Sequence, residues 1–183
     1  MTAQISIVLP TLNAAEHLPA TADALLPGLS AGLVRELIVC DGGSTDATPR
    51  VADALGAEWH DCAPHLPQQF AAGAAAAKAE WILLLRSDAR PDPRWPDAVG
   101  AHMATHPDRA ARFRLAGGAL AAALNLRAAL GRPDPRHGLL VRRNQLDDAG
   151  GAQQAWAALR RQLRHRMEVL PVPLRLDAQP SSN

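Results

Sequence analysis

At 183 residues the chain is long enough for one full-sized domain and too short for two. Apolar residues make up 48% and the formal net charge is +1, which excludes general disorder and any strong electrostatic draw to nucleic acid. Its two cysteines are too few for a disulfide scaffold, so a cytoplasmic protein is expected. The opening "MTAQISIVLP" lacks the basic start of a signal peptide. The longest apolar stretch, Ala116 to Leu130, carries Asn125 and Arg127, which argues against a bilayer span.

In chain order, "ISIVL" (Ile5–Leu9) is a continuous, largely β-branched run that predicts a buried parallel strand stopped by Pro10. "AAEHLPATADALLPGL" has helical spacing through Leu18, Ala22, Leu25 and Leu26, with Pro19 in its first turns. "LVRELIVC" reads as the second strand. "TDATPRVADALGA" reads as the second helix, stopped by Gly56. "AEWHDC", "LPQQFAAGAAAAKA" and "EWILLL" follow as strand, helix and strand. Alternation at this spacing predicts an α/β fold with a mostly parallel sheet covered on both faces.

Beyond it, "RSDARPDPRWPD" reads as a loop, Trp95–His106 as a helix, "ARFRLAG" as a strand and "ALAAALNLRAAL" as a helix. "HGLLVRR" is a further strand, Gln153–Arg166 a last helix, and residues 179–183 a disordered tail. The division expected is one domain over 1–178, with one half at about 1–92 and a second at about 93–178. Arginines gather at Arg142, Arg143, Arg160, Arg161, Arg164 and Arg166, and a solvated helix face is the favoured reading.

In parallel sheets ligands bind beyond the C-terminal strand ends, and three clusters fall there. Thr11, Asn13 and Glu16 follow the first strand, Asp41 and Asp46 the second, and Asp88 and Asp92 the fourth. Asp41 stands where a polar ring or ribose could reach it, and Gly42 and Gly43 permit close backbone approach. Ser44 or Thr45 can cap the following helix, and Asp46 suits its first turn. A carboxylate ending a very apolar strand, as Asp88 does, is costly without a cation or hydrogen bonds. Neither a G-x-G-x-x-G nor a G-x-x-x-x-G-K-[ST] motif occurs, and Ser44 lacks the frame of a nucleophile elbow. His60, Cys62 and His65 crowd together, but no fourth zinc ligand is apparent, so a polar strand end is favoured.

At "ISIVLPTLNAAEHL" and "ELIVCDGGSTDAT" the sequence resembles the family-2 glycosyltransferases, which have the GT-A nucleotide-sugar-binding fold. It is most similar to the bacterial branch that includes arsenosugar-biosynthesis glycosyltransferases, with "LLLRSDARPDPRW" and "HGLLVRRNQLDDAGG" at that branch's later motifs. The resemblance implies transfer of a sugar from a nucleotide-sugar donor, UDP-linked by family habit. It implies that Pro10, Thr11, Asn13 and Glu16 line the nucleotide pocket beside Gly42, Gly43, Ser44 and Asp46, with Asp41 on the base. It further implies Mg²⁺ or Mn²⁺ on Asp88, with Arg86 near the diphosphate. Several family positions differ: Ala14 replaces an acid, Arg86 an Asp or His, Ala71 an Asn, and Pro135-Arg136-His137 a "GDQ". The acidic pair that would supply the catalytic base aligns with Gln153 and Gln154, leaving Asp147 and Asp148 as substitutes. The alternative is therefore a degenerate module that binds nucleotide or a partner without turnover. Acceptors in this family are often lipid-linked, so peripheral membrane contact through the arginine-rich helix stays open.

Overall fold

The computed structural model describes residues 3–132, 134–148 and 167–177. The helix expected at Gln153–Arg166, the aligned Gln153 and Gln154, and the tail at 179–183 lie outside them.

β1 (Ile5–Thr11), β2 (Val34–Asp41), β3 (Glu58–Asp61) and β4 (Trp81–Leu84) alternate with α1 (Leu18–Ser30), α2 (Thr48–Ala54) and α3 (Leu66–Ala76). After them come β5 (Ala89–Pro91), α4 (Trp95–Thr105), β6 (Ala111–Leu115) and α5 (Ala119–Ala129). A 3₁₀ turn at Pro135–His137, β7 (Leu139–Arg142), α6 (Arg143–Asp148) and β8 (Glu168–Leu176) complete the order. The strands form one sheet in the order β3-β2-β1-β4-β7-β6-β8-β5. β3 to β4 pair parallel through β2 and β1, and β6 pairs parallel with β8. β7 runs antiparallel to both β4 and β6, and β5 runs antiparallel to β8. The sheet is thus mixed but mostly parallel.

Both faces are covered, as the alternation requires. Ile5, Ile7, Leu9, Val39, Trp81 and Leu83 point to one side, against Leu18 and Leu25 of α1 and Trp95 and Val99 of α4. Val8, Ile38, Cys40, Ile82 and Leu84 point to the other, against Phe70 and Ala74 of α3. Successive residues of one strand facing opposite apolar layers explain why these strands read as unbroken apolar runs. Among the described residues no helix is long and apolar enough to cross a membrane.

Several expected boundaries move, each for a physical reason. β1 runs through Pro10 to Thr11 rather than stopping at it. The Val8 carbonyl accepts from Leu85 on the β4 side, so Pro10 faces that side two residues on, beyond Leu84 where β4 has ended. No ladder bond needs the missing N–H there. α2 begins at Thr48 with Ala47 as its N-cap, so neither Ser44 nor Thr45 caps it. β5 lies inside the stretch expected as a loop, and Arg143 starts α6 instead of ending β7. β8 tolerates Pro171 and Pro173 because its register with β6 shifts between Arg112 and Arg114.

Candidate functional site

Thr11 and Asp41 are register partners at the ends of β1 and β2, which brings the two loops that follow against each other. The Asp41 carboxylate is 2% exposed and accepts four hydrogen bonds from its own chain. The Thr11 hydroxyl donates at 2.7 Å, the Gly43 N–H at 2.9 Å, the Ser44 N–H at 2.6 Å and the Ser44 hydroxyl at 2.5 Å. A carboxylate has about four lone-pair sites, so Asp41 is saturated within this loop. Any base contact at Asp41 requires one of these bonds to be exchanged. Gly43 has φ +93°, and a Cβ on Gly42 would lie 2.9 Å from the Pro64 Cα, so both glycines are needed.

The loops are stitched further along. The Asn13 N–H donates to Ser44 Oγ at 2.7 Å, and Asn13 Oδ1 accepts from the Thr45 N–H at 2.9 Å. Asn13 takes φ +50°, a left-handed conformation that asparagine tolerates better than most residues. Asp46 accepts from the N–H groups of Ala15 and Thr48, while the Thr48 hydroxyl accepts from the Ala14 N–H. Burial pushes the Asp46 carboxyl up, but the Thr48 hydroxyl and these N–H groups outweigh it and hold it below the usual range. Pro10 is buried in β1, whereas Glu16 is exposed before α1 and no hydrogen bond among the described residues ties it to the others.

A second cluster lies past β4. Asp88 is 2% exposed, and both its oxygens accept from one guanidinium: Arg86 Nε to Oδ1 and a terminal nitrogen to Oδ2, each at 2.8 Å. This is the two-pronged geometry that suits arginine to carboxylates. The Asp88 carbonyl accepts from the Asp177 N–H, and the buried Thr21 hydroxyl of α1 donates to the Ser87 carbonyl at 2.7 Å. Arg86, Asp88, Arg136 and Asp177 line a 390 Å³ cleft walled by Leu115 to Gly118 and by α5. Beside Arg136, the His137 ring is fully buried, its Nε2 has no hydrogen-bond partner among the described residues, and burial holds its pKa below the ordinary value.

The two clusters share one sheet edge, as expected, but no hydrogen bond joins them directly. Among the described residues no three His, Cys, Asp or Glu side chains converge. Asp88 and Asp177 both bring a carboxylate to the cleft, and Asp177 is paired with Arg90. One carboxylate fits Mg²⁺ or Mn²⁺ when substrate phosphates and water supply the remaining ligands. In the His60–His65 stretch, His60 Nε2 lies 3.1 Å from Glu58, and His65 precedes α3. Asp147 and Asp148 end α6, and their side chains lie outside the described set.

One supporting residue escaped the sequence reading. Gln69 is buried, and its amide nitrogen donates at 2.8 Å to both the Thr11 and the Cys40 carbonyls, clamping the ends of β1 and β2. Its signal was a polar residue four positions before Gly73, on the helical face turned to the sheet.

Comparison with known proteins identifies the fold and the family. Glucosyl-3-phosphoglycerate synthase of Mycolicibacterium smegmatis is 38% identical over 107 residues, covering 52% of this chain and 35% of that protein. The chain therefore spans about a third of that relative's length. The Mycobacterium tuberculosis glucosyl-3-phosphoglycerate synthase, solved with phosphoglyceric acid, superposes with a TM-score of 0.73 at 25% identity, covering 97% of this chain and 73% of that one. The same enzyme solved with Mn²⁺ and UDP-glucose also gives 0.73 at 25% identity, with coverages of 99% and 72%. The α/β sheet is thus the GT-A fold that the resemblance implied. Residues 6–118 match Glycosyl transferase family 2, a span that contains the β1 and β2 loops and the Arg86–Asp88 pair, and the chain belongs to that family.

Proposed function

We propose that the chain is a nucleotide-sugar-dependent glycosyltransferase that takes a UDP-sugar at the paired β1 and β2 loops and directs its sugar into the Arg86–Asp88 cleft. The observation that carries this reading is the cleft itself: a buried carboxylate and two arginines beside the stitched loops, on one sheet edge. In this reading residues 1–178 form one domain, with nucleotide held by about 1–92 and acceptor by about 93–178. Pro10, Thr11, Asn13 and Glu16 flank the nucleoside beside Gly42, Gly43, Ser44 and Asp46. Asp41 keeps the loop in shape and reaches the base only by exchanging an internal bond. Asp88 supplies a protein ligand for Mg²⁺ or Mn²⁺, as expected from relatives solved with Mn²⁺ and UDP-glucose. Such a cation would neutralise diphosphate charge as the nucleoside diphosphate leaves. Arg136 offers a guanidinium at the cleft to an anionic acceptor. The phosphoglyceric acid bound by the relative makes 3-phosphoglycerate the first acceptor to try. Asp147 and Asp148 are the candidates for the base that takes the acceptor proton.

The relatives are named as synthases, and nothing in them favours the alternative of a module without turnover. Placement in the arsenosugar-biosynthesis branch is a proposal resting on the "PTLN" and "CDGGSTD" motifs. Titration calorimetry with UDP, with and without Mn²⁺, tests the binding reading, and release of UDP from UDP-glucose in the presence of 3-phosphoglycerate tests transfer. Binding that strengthens with Mn²⁺ is expected. Absence of UDP binding under both conditions would overturn the proposal.

A further inference from the structure

Asp88 is poorly prepared to receive a free cation. Both its oxygens are capped by Arg86, the residue is 2% exposed, and its ion pair is formed within one loop. A cation arriving alone would have to strip away that guanidinium and leave Arg86 without an anion. Breaking a largely buried pair while leaving one charge bare is strongly unfavourable. Arg86 has room to move, since its side chain is 22% exposed and lines the open 390 Å³ cleft. If a diphosphate enters with the cation, every charge keeps a partner. The cation takes Asp88, and Arg86 turns its two-pronged donors from carboxylate to phosphate oxygens, a match of the same geometry.

We propose that Arg86 occupies Asp88 in the resting protein and passes to the diphosphate when donor and cation bind, so that the two ligands bind cooperatively and in mutual dependence. This rests on the nucleotide-sugar reading of the cleft and adds the residue that couples its two ligands. Because coupling between two binding sites is reciprocal, UDP must tighten Mn²⁺ by the same factor that Mn²⁺ tightens UDP.

The test measures Mn²⁺ binding by the loss of its free-ion electron paramagnetic resonance signal, with and without UDP, and UDP binding by calorimetry. In the wild-type chain Mn²⁺ alone is expected to bind weakly and to tighten about tenfold or more with UDP, within the usual range of such coupling. In Arg86→Gln, Mn²⁺ alone should bind more tightly than in the wild type, UDP alone more weakly, and the coupling should shrink to the share that direct contact between cation and phosphate supplies. Arg86→Lys keeps the charge without the fork and should fall between, which covers the case in which the glutamine variant fails to fold. Wild-type chain that binds UDP with Mn²⁺, together with coupling unchanged in the variants, would overturn this inference and leave the functional reading standing. No UDP binding by the wild-type chain would overturn both.

Discussion

Asp41 shows how much one carboxylate can organise before any ligand arrives. Its four bonds come from Thr11 on β1 and from Gly43 and Ser44 on its own loop, in a site closed to solvent. Asp41→Asn preserves the shape but turns an amide nitrogen toward N–H donors, leaving buried groups unsatisfied. Each such group costs about 1–3 kcal/mol, so urea unfolding should show a loss of about 2–3 kcal/mol. Thr11→Val removes a single donor and should cost about 1 kcal/mol. Equal midpoints for Asp41→Asn and the wild type would mean that the network does not hold the loop. The position of Asp41 was legible because an apolar run ending in Asp-Gly-Gly marks a strand end. The inward turn of its carboxylate was not, since the donors come from a neighbouring strand and from loop torsions that no spacing encodes. The Arg86–Asp88 pair was half legible: the two residues are close in sequence, but their mutual capture depends on the turn closed by the Ala89 N–H on the Arg86 carbonyl.

At the level of elements, glycine has opposite meanings in two helices. A Cβ on Gly73 of α3 would lie 2.2 Å from the Val8 Cγ1 and 3.0 Å from the Cys40 Sγ, so the missing side chain lets α3 press onto β1 and β2. Gly100 of α4 has nothing within 4 Å of such an atom. Helix propensity alone favours alanine at both positions. Packing should reverse the sign at one: Gly73→Ala is expected to destabilise by about 1–3 kcal/mol through overpacking. Gly100→Ala should stabilise by about 0.5–1 kcal/mol. Thermal unfolding of the two variants checks this, and a shift of the same sign in both would refute the packing account. The clamp by Gln69 belongs to the same helix face. Gln69→Leu removes a donor from the Cys40 carbonyl and leaves the Thr11 carbonyl only the Gly42 N–H, and should cost about 1–3 kcal/mol while loosening the ends of β1 and β2. The first four strands and three helices were legible because their apolar periods are local. β5 and the register of β8 were not, because a three-residue strand and a proline-bearing one are made by pairing with distant partners.

Across the whole molecule, two buried histidines tie stability to pH. His102 of α4 donates from Nε2 to the Arg109 carbonyl at 2.8 Å, its ring edge meets Trp81, and it stacks on His106. Burial pulls its pKa below the ordinary histidine value, and His106 adds to that, while the Arg109 carbonyl and Glu168 pull the other way. His137 is lowered first by burial and also by the facing Arg112 and Arg136, against its bond to Asp134. Both are therefore neutral in the folded chain at pH 7. As pH falls through about 6.5, the unfolded chain takes up protons that these folded sites refuse, so stability is full above that value and declines below it. Each histidine can contribute a slope of up to about 1.4 kcal/mol per pH unit. A second decline belongs to Glu36, Asp46 and Glu168, whose folded pKa values lie below the ordinary carboxylate range. Their stabilisation is present above about pH 4.5 and is lost as pH falls further. Urea unfolding between pH 7.5 and 5.0 should show the histidine step alone, and each of His102→Gln and His137→Gln should flatten it even where its starting stability is lower. An undiminished slope in both variants would place the acid sensitivity elsewhere.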